Sequence, residues 1–131
     1  MKESVFTKII KGEIPCHKIY EDDKTLAFLD IHPAQPGHTL VIPKRQVEFV
    51  WDLPEPDYQA VVATTRLVAL RLRDIMQRPY VGEMIVGTDV PHAHVHLVPF
   101  SHASELKPHL EPGKEEPDHQ ALAEIAAKLA F

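Results

Sequence analysis

One ten-residue stretch, "VPHAHVHLVP" at positions 90–99, restricts the fold more than any other. Three histidines, His92, His94 and His96, alternate there with Ala93, Val95 and Leu97. On a strand, side chains at every second position share one face, about 7 Å apart along the chain. On a helix the same residues would splay around the cylinder. The β-branched and proline-bearing context favours a strand. Ala93, Val95 and Leu97 are therefore expected to face a core, and the three imidazoles to share the opposite face. Three readings of that polar face are open. It is a solvated strand that happens to be histidine-rich. Or it is a metal site, in which two histidines at i and i+2 chelate zinc with help from His32, His38 or Cys16. Or it performs phosphoryl or nucleotidyl transfer. A neutral imidazole attacks phosphorus with one nitrogen while a carbonyl holds the other N–H and fixes the tautomer. A protonated neighbour then holds the phosphate oxygens as charge builds. Spacing alone does not separate metal from phosphorus.

The rest of the chain supplies a sheet for this strand to join. Ser4 is placed to cap a short helix over "VFTKIIKG", with Phe6, Ile9 and Ile10 on one face and Gly12 at its end. "HKIYEDDKTLAFLDIHP" reads as two strands around a turn at residues 21–24. "HTLVIP" is a short buried strand closed by Pro43, and "KRQVEFVWDLP" is a loop or partial helix. A long helix is expected over roughly 54–77, with Tyr58, Val61, Val62, Thr65, Val68, Ala69, Leu72, Ile75 and Met76 on one face and Pro79 as its stop. "VGEMIVG" and "HAHVHLVP" read as strands jointed at Gly87-Thr88-Asp89. After Phe100 the chain becomes a polar, proline-broken surface arm, on which His102 and His109 are expected to be surface residues. Asp118 caps a last helix with Leu122, Ile125, Ala126 and Leu129 on one face. Strands that follow one another closely, flanked by helices, predict an antiparallel sheet and an α+β class.

With 131 residues and 44% apolar composition, the chain is expected to fold as one domain. A net charge of −5 argues against non-specific binding to a nucleic-acid backbone, but leaves room for a local cationic site. Cys16 is the one cysteine, which excludes an intrachain disulfide and fits a reducing compartment. No run approaches the length of a membrane span, and no secretory signal is visible, so the expected address is cytoplasmic.

"HAHVHLVP" resembles the histidine triad signature, His-φ-His-φ-His-φ-φ, of the HIT family of nucleotide hydrolases and transferases. "VFTKIIKGEIP", "YEDDKTLAFLDIHPAQPGHTLVIPK" and the strand pair at 82–99 are similar to the HIT domain in its usual order. The resemblance covers residues 4–100 and is strongest to the small, Hint-like branch. It implies residues 1–100 as the HIT domain, with 101–131 as a C-terminal arm and helix of the same domain. It also implies a homodimer with an antiparallel five-stranded sheet per subunit, a long helix and a short N-terminal one. The implied activity is hydrolysis of purine nucleoside phosphoramidates or related nucleotidyl bonds at the α-phosphate, with AMP or GMP as product. No metal or other cofactor is implied. His94 would be the nucleophile, His96 would hold the α-phosphate, and His92 would position the central ring through its backbone carbonyl. His38 would buttress the triad. Phe6, Ile9, Ile14, Phe28 and Ile31 would enclose the base, and Asp30 would accept from the ribose hydroxyls. Gly87, Thr88 and Asp89 would adjoin the phosphate. Two rivals stand beside this reading, a dinucleoside polyphosphate hydrolase and a nucleotide-binding module with little turnover.

The sequence departs from the family at two places. Thr88 stands where a glutamine usually contacts phosphate, and Asp89 where a serine or threonine often serves the leaving group. An aspartate there either repels phosphate or, with a raised pKa, donates a proton to a leaving amine. Some bacterial relatives hold structural zinc through two cysteines, a histidine and a triad histidine. Here Ser4, Thr7 and Gln46 occupy three of those positions, which weighs against zinc.

Overall fold

The computed structural model describes residues 2–107 and 115–131. Helix α1 (Val5–Ile10) starts where Ser4 Oγ accepts the Thr7 N–H at 3.0 Å. It stops at Gly12, whose φ of +79° turns the chain and whose N–H donates to Ile9 O. Strands β1 (Lys18–Glu21) and β2 (Thr25–Leu29) form a hairpin. Its turn is tied by Asp22, whose Oδ1 accepts the N–H groups of Lys24 and Thr25 at 2.9 and 2.8 Å. Then follow β3 (Thr39–Pro43), a 3₁₀ turn (Val50–Asp52), α2 (Glu55–Met76), β4 (Tyr80–Met84), β5 (Val95–Phe100), a second 3₁₀ turn (Ala103–Leu106) and α3 (His119–Leu129). The sheet is antiparallel throughout, in the order β1-β2-β3-β5-β4. It has the five strands, long helix, short N-terminal helix and C-terminal helix expected of the HIT α+β fold.

Both faces of the central strands are covered, which explains why "TLAFL" and "TLVIP" do not alternate in polarity. On one face Ala27, Leu29, Val41, Val95 and Leu97 pack against Val61, Val68 and Leu72 of α2. Leu122, Ala126 and Leu129 of α3 join this core. On the other face Leu26, Phe28, Leu40 and Ile42 pack against Phe6 of α1. The triad histidines lie on this second face, so α1 is the element that roofs them.

Three expectations need correction. The triad strand begins at Val95, so His92, which lies in a bend, and His94 precede it, and the link from β4 spans residues 85–94 rather than the short Gly87-Thr88-Asp89 joint. Here Gly87 takes a φ of +81°, and the backbone turns to other partners: Ala93 N–H donates to Val47 O at 2.7 Å. On α2, Val62 is 52% exposed, whereas Thr64 is buried with its Oγ1 2.7 Å from Thr25 Oγ1. The buried stripe is rotated toward a threonine pair that only the tertiary contact satisfies. Lastly, the start of the polar arm is structured. Glu105 accepts the N–H groups of Ser101 and His102 at 2.7 and 2.8 Å and faces Arg78. The backbone N–H of His102, then that of Ser101, hold its carboxyl down at about 2. His102 is exposed, as expected; His109 lies outside the described residues.

Gly37 turns the chain into β3 at a φ of +93°, and a Cβ there would stand 3.1 Å from both Met76 Cγ and Pro99 Cγ. Gly37→Ala is expected to destabilise by about 1–3 kcal/mol, combining left-handed strain with an overpacked contact. A urea titration checks this. An unchanged midpoint would show that the turn relaxes freely.

Candidate active site beneath the first helix

The three triad imidazoles are all buried, and each has distinct partners. His94 Nδ1 donates to the backbone carbonyl of His92 at 2.7 Å. A carbonyl only accepts, so the hydrogen sits on Nδ1 and the lone pair is left on Nε2. Phe6 meets the ring edge-on, with centroids 5.2 Å apart, and fixes its plane. His96 lies one alternation along, with its ring centroid 5.0 Å from that of His94.

A second chain of hydrogen bonds fixes His96. The Ala34 N–H donates to His38 Nδ1 at 3.0 Å. His38 Nε2 stands 3.0 Å from His96 Nδ1. In the neutral state Nε2 of His38 is therefore the donor, and the hydrogen of His96 is placed on its Nε2. Asp30 Oδ2 lies 3.6 Å from His38 Nε2, and Asp30 Oδ1 accepts the His32 N–H at 2.8 Å. Asp30 is thus both a turn cap at the end of β2 and a carboxylate on the wall of the site.

His92 turns the other way. Its Nε2 donates to Pro43 O at 2.7 Å, and its Nδ1 accepts from Ser4 Oγ at 2.8 Å. Burial pushes its pKa below the ordinary 6.5, with a smaller push from His94. The folded state resists protonation that the unfolded chain accepts near 6.5, so the contribution of neutral His92 is complete above that pH and is lost as pH falls below it. The unfolding temperature of wild type should fall as pH drops from 7 toward 5, and His92→Asn should flatten that slope. Equal slopes would assign the pH dependence to other groups.

Ser4, Thr7, Gln46 and His92 converge, as the positional match to zinc ligands in some relatives implies. Gln46 Oε1 accepts from Thr7 Oγ1 at 2.6 Å and from Ser4 N–H at 2.9 Å. Two hydroxyls and a carboxamide are a poor donor set for zinc, and both nitrogens of His92 are engaged. These residues do not fit the ion; a hydrogen-bonded cluster stands in its position. Asp30, His38 and His96 also bring ligand-type atoms within 4.8 Å of one another. There, His38 Nε2 and His96 Nδ1 face each other. Cys16 and His32 join no such trio among the described residues.

Over His94 and His96 opens a cleft of about 320 Å³. Phe6, Ile9, Ile14, Phe28 and Ile31 line it, with Asp30 and Asp89 on its wall. Ile31, 42% exposed, forms the lip. His92 and His38 lie behind the lining, and Gly87 and Thr88 lie outside it. Leu40, Val90 and Pro15 also line it and were not expected. Leu40 belongs to "HTLVIP", a buried strand by its apolar run, in which nothing distinguishes a cleft-lining residue from a core residue.

Fold and cluster together define a class: a small α+β protein whose sheet presents alternating imidazoles, in ordered tautomers, to an apolar cleft under a short helix. The HIT domain family model matches residues 11–103, and the chain belongs to the HIT family. An uncharacterized HIT-like protein of Borreliella burgdorferi is 38% identical over 76% of this chain and 76% of its own length. An adenosine 5′-monophosphoramidase of Schizosaccharomyces pombe is 33% identical over 72% of each chain. The crystal structure of a Hit-like protein from Bartonella henselae superposes with a TM-score of 0.82 at 29% identity, covering 97% of this chain and 94% of that one. No helix among the described residues is long and apolar enough to cross a membrane.

Proposed function

We propose that the protein is a purine-nucleotide hydrolase that cleaves phosphoramidates or related nucleotidyl bonds at the α-phosphate through a nucleotidyl-His94 intermediate. The observation that carries this reading is the 2.7 Å bond from His94 Nδ1 to the His92 carbonyl, at the floor of an apolar cleft. It leaves Nε2 as a nucleophile that needs no deprotonation. The lone pair of Nε2 forms a bond to the α-phosphorus, and the bond from phosphorus to the leaving nitrogen or oxygen breaks. The leaving group departs with that electron pair and takes a proton from solvent. The hydrogen placed on His96 Nε2 bonds a phosphoryl oxygen as charge builds there. Water then cleaves the phosphorus–His94 bond, releasing the monophosphate and one proton and restoring neutral His94. The cleft is apolar enough for a flat base, and the Asp30 carboxylate offers acceptors to ribose hydroxyls. The similarity to a monophosphoramidase supports the substrate class.

Incubation with an adenosine phosphoramidate should release AMP. Acid-quenched protein should carry an adenylyl adduct that maps to His94. Binding of AMP without turnover or adduct would leave a nucleotide-binding module in place of the enzyme. This reading also includes a cytoplasmic homodimer. β4 is an edge strand that carries Tyr80, 56% exposed, and Leu70 of α2, 45% exposed, lines the same surface hollow as Tyr80. Light scattering should report twice the chain mass; a monomer mass would remove the dimer.

A further inference from the structure

The charge-bearing side chains that line the cleft are two carboxylates and the imidazoles of His32, His94 and His96. Asp89, on the link from β4 to β5, lines it together with His94 and His96. Asp30 stands on the wall from the end of β2. No lysine or arginine lines the cleft among the described residues. Asp89 is exposed, and its hydrogen bond is a long one, 3.3 Å, from the hydroxyl of its neighbour Thr88. It enters no ion pair among the described residues.

In-line attack places the leaving group opposite the attacking nitrogen. His94 is on the buried floor, so the leaving group points to the open side, where Asp89 is exposed. A polyphosphate leaving group would bring several negative charges to a carboxylate with no lysine or arginine to offset them. An amine brings none, and a diamine or lysine brings a positive charge. We propose that Asp89 selects the leaving group, so that the site takes α-phosphates joined to neutral or cationic amines and rejects those joined to polyphosphate. This rests on the hydrolase reading above and narrows its substrate class. Asp89 moves no proton in it; the carboxylate acts through its charge.

The test compares kcat/KM for an adenosine phosphoramidate of a diamine with that for diadenosine tetraphosphate, in wild type, Asp89→Asn and Asp89→Glu. At low ionic strength Asp89→Asn should shift the ratio toward the polyphosphate by about tenfold, the effect of one carboxylate on several solvent-exposed charges. Asp89→Glu should retain the wild-type ratio. The difference between wild type and Asp89→Asn should shrink in about 0.5 M salt, where exposed charges are screened within a few ångströms. A ratio that Asp89→Asn leaves within twofold of wild type overturns the proposal. If wild type cleaves neither substrate above a His94→Ala background, the hydrolase reading fails by itself, and selection is read from binding. Wild type should then prefer AMP to ATP, and Asp89→Asn should narrow that preference about tenfold. An unchanged preference overturns the selection.

Discussion

His94→Ala is expected to lower the rate of AMP release from an adenosine phosphoramidate by roughly a thousandfold or more. The reason is the covalent route. Without Nε2 there is no atom to take the nucleotidyl group, and water must attack in one step. The loss should fall on kcat, because the base and ribose contacts proposed above are to Phe6, Phe28 and Asp30, which line the cleft beside His94. The fold should survive, since the ring's hydrogen bond is to a neighbouring carbonyl in the segment before β5, not to a strand partner. Far-UV circular dichroism and AMP affinity check that the variant is folded. A rate within tenfold of wild type would sink the covalent mechanism, leaving His96 or bound water as the source of turnover. Loss of the adenylyl adduct in the same variant separates a missing nucleophile from a disturbed cleft.

Leu97→Ala tests the opposite face of the same strand. Leu97 is 1% exposed and packs in the core shared by the sheet, α2 and α3. Truncation removes buried methyl groups and leaves a cavity between a sheet and helices that relax only in part. The expected loss is about 3 kcal/mol. Urea denaturation should show a lower midpoint with an unchanged slope. AMP release by the folded fraction should stay near wild type, because Leu97 points away from the cleft that His96 lines. A loss below about 1 kcal/mol would mean that the core closes over the gap. Together the two substitutions separate the two faces of one strand: one removes chemistry and spares the fold, the other weakens the fold and spares chemistry.

Much of this division was legible in the alternation of residues 92–97. Ala93, Val95 and Leu97 do enter the main core, and the histidines do take the other face. Ser4, Gly12 and Asp118 were legible as helix boundaries because capping is local chemistry. Phe6, Ile9, Ile14, Phe28 and Ile31 were singled out by the family resemblance rather than by their own pattern, since apolar residues in strands read equally well as core. Phe6 and Phe28 are in fact both: they pack with each other at 5.6 Å and line the cleft. The spacing of α2 puts Val62 rather than Thr64 in the buried stripe, because one helical turn does not reveal which polar residue finds a partner across the core.

By itself, then, the sequence determined the elements, their caps, the two-faced strand and the set of imidazoles, because these follow from short-range periodicity and residue type. Only the tertiary structure decided the protonation pattern. The tautomer of His94 depends on the His92 carbonyl, but that of His96 depends on His38, 58 positions away, which depends in turn on the Ala34 N–H. The pKa of His92 is lowered by its burial, against the bond to Pro43 O, which raises it, and its tautomer depends on Pro43 O and Ser4 Oγ, 49 and 88 positions distant. Hydrogen placement on an imidazole is set by whichever donors and acceptors the folded chain brings within about 3 Å, and no spacing along a strand encodes that.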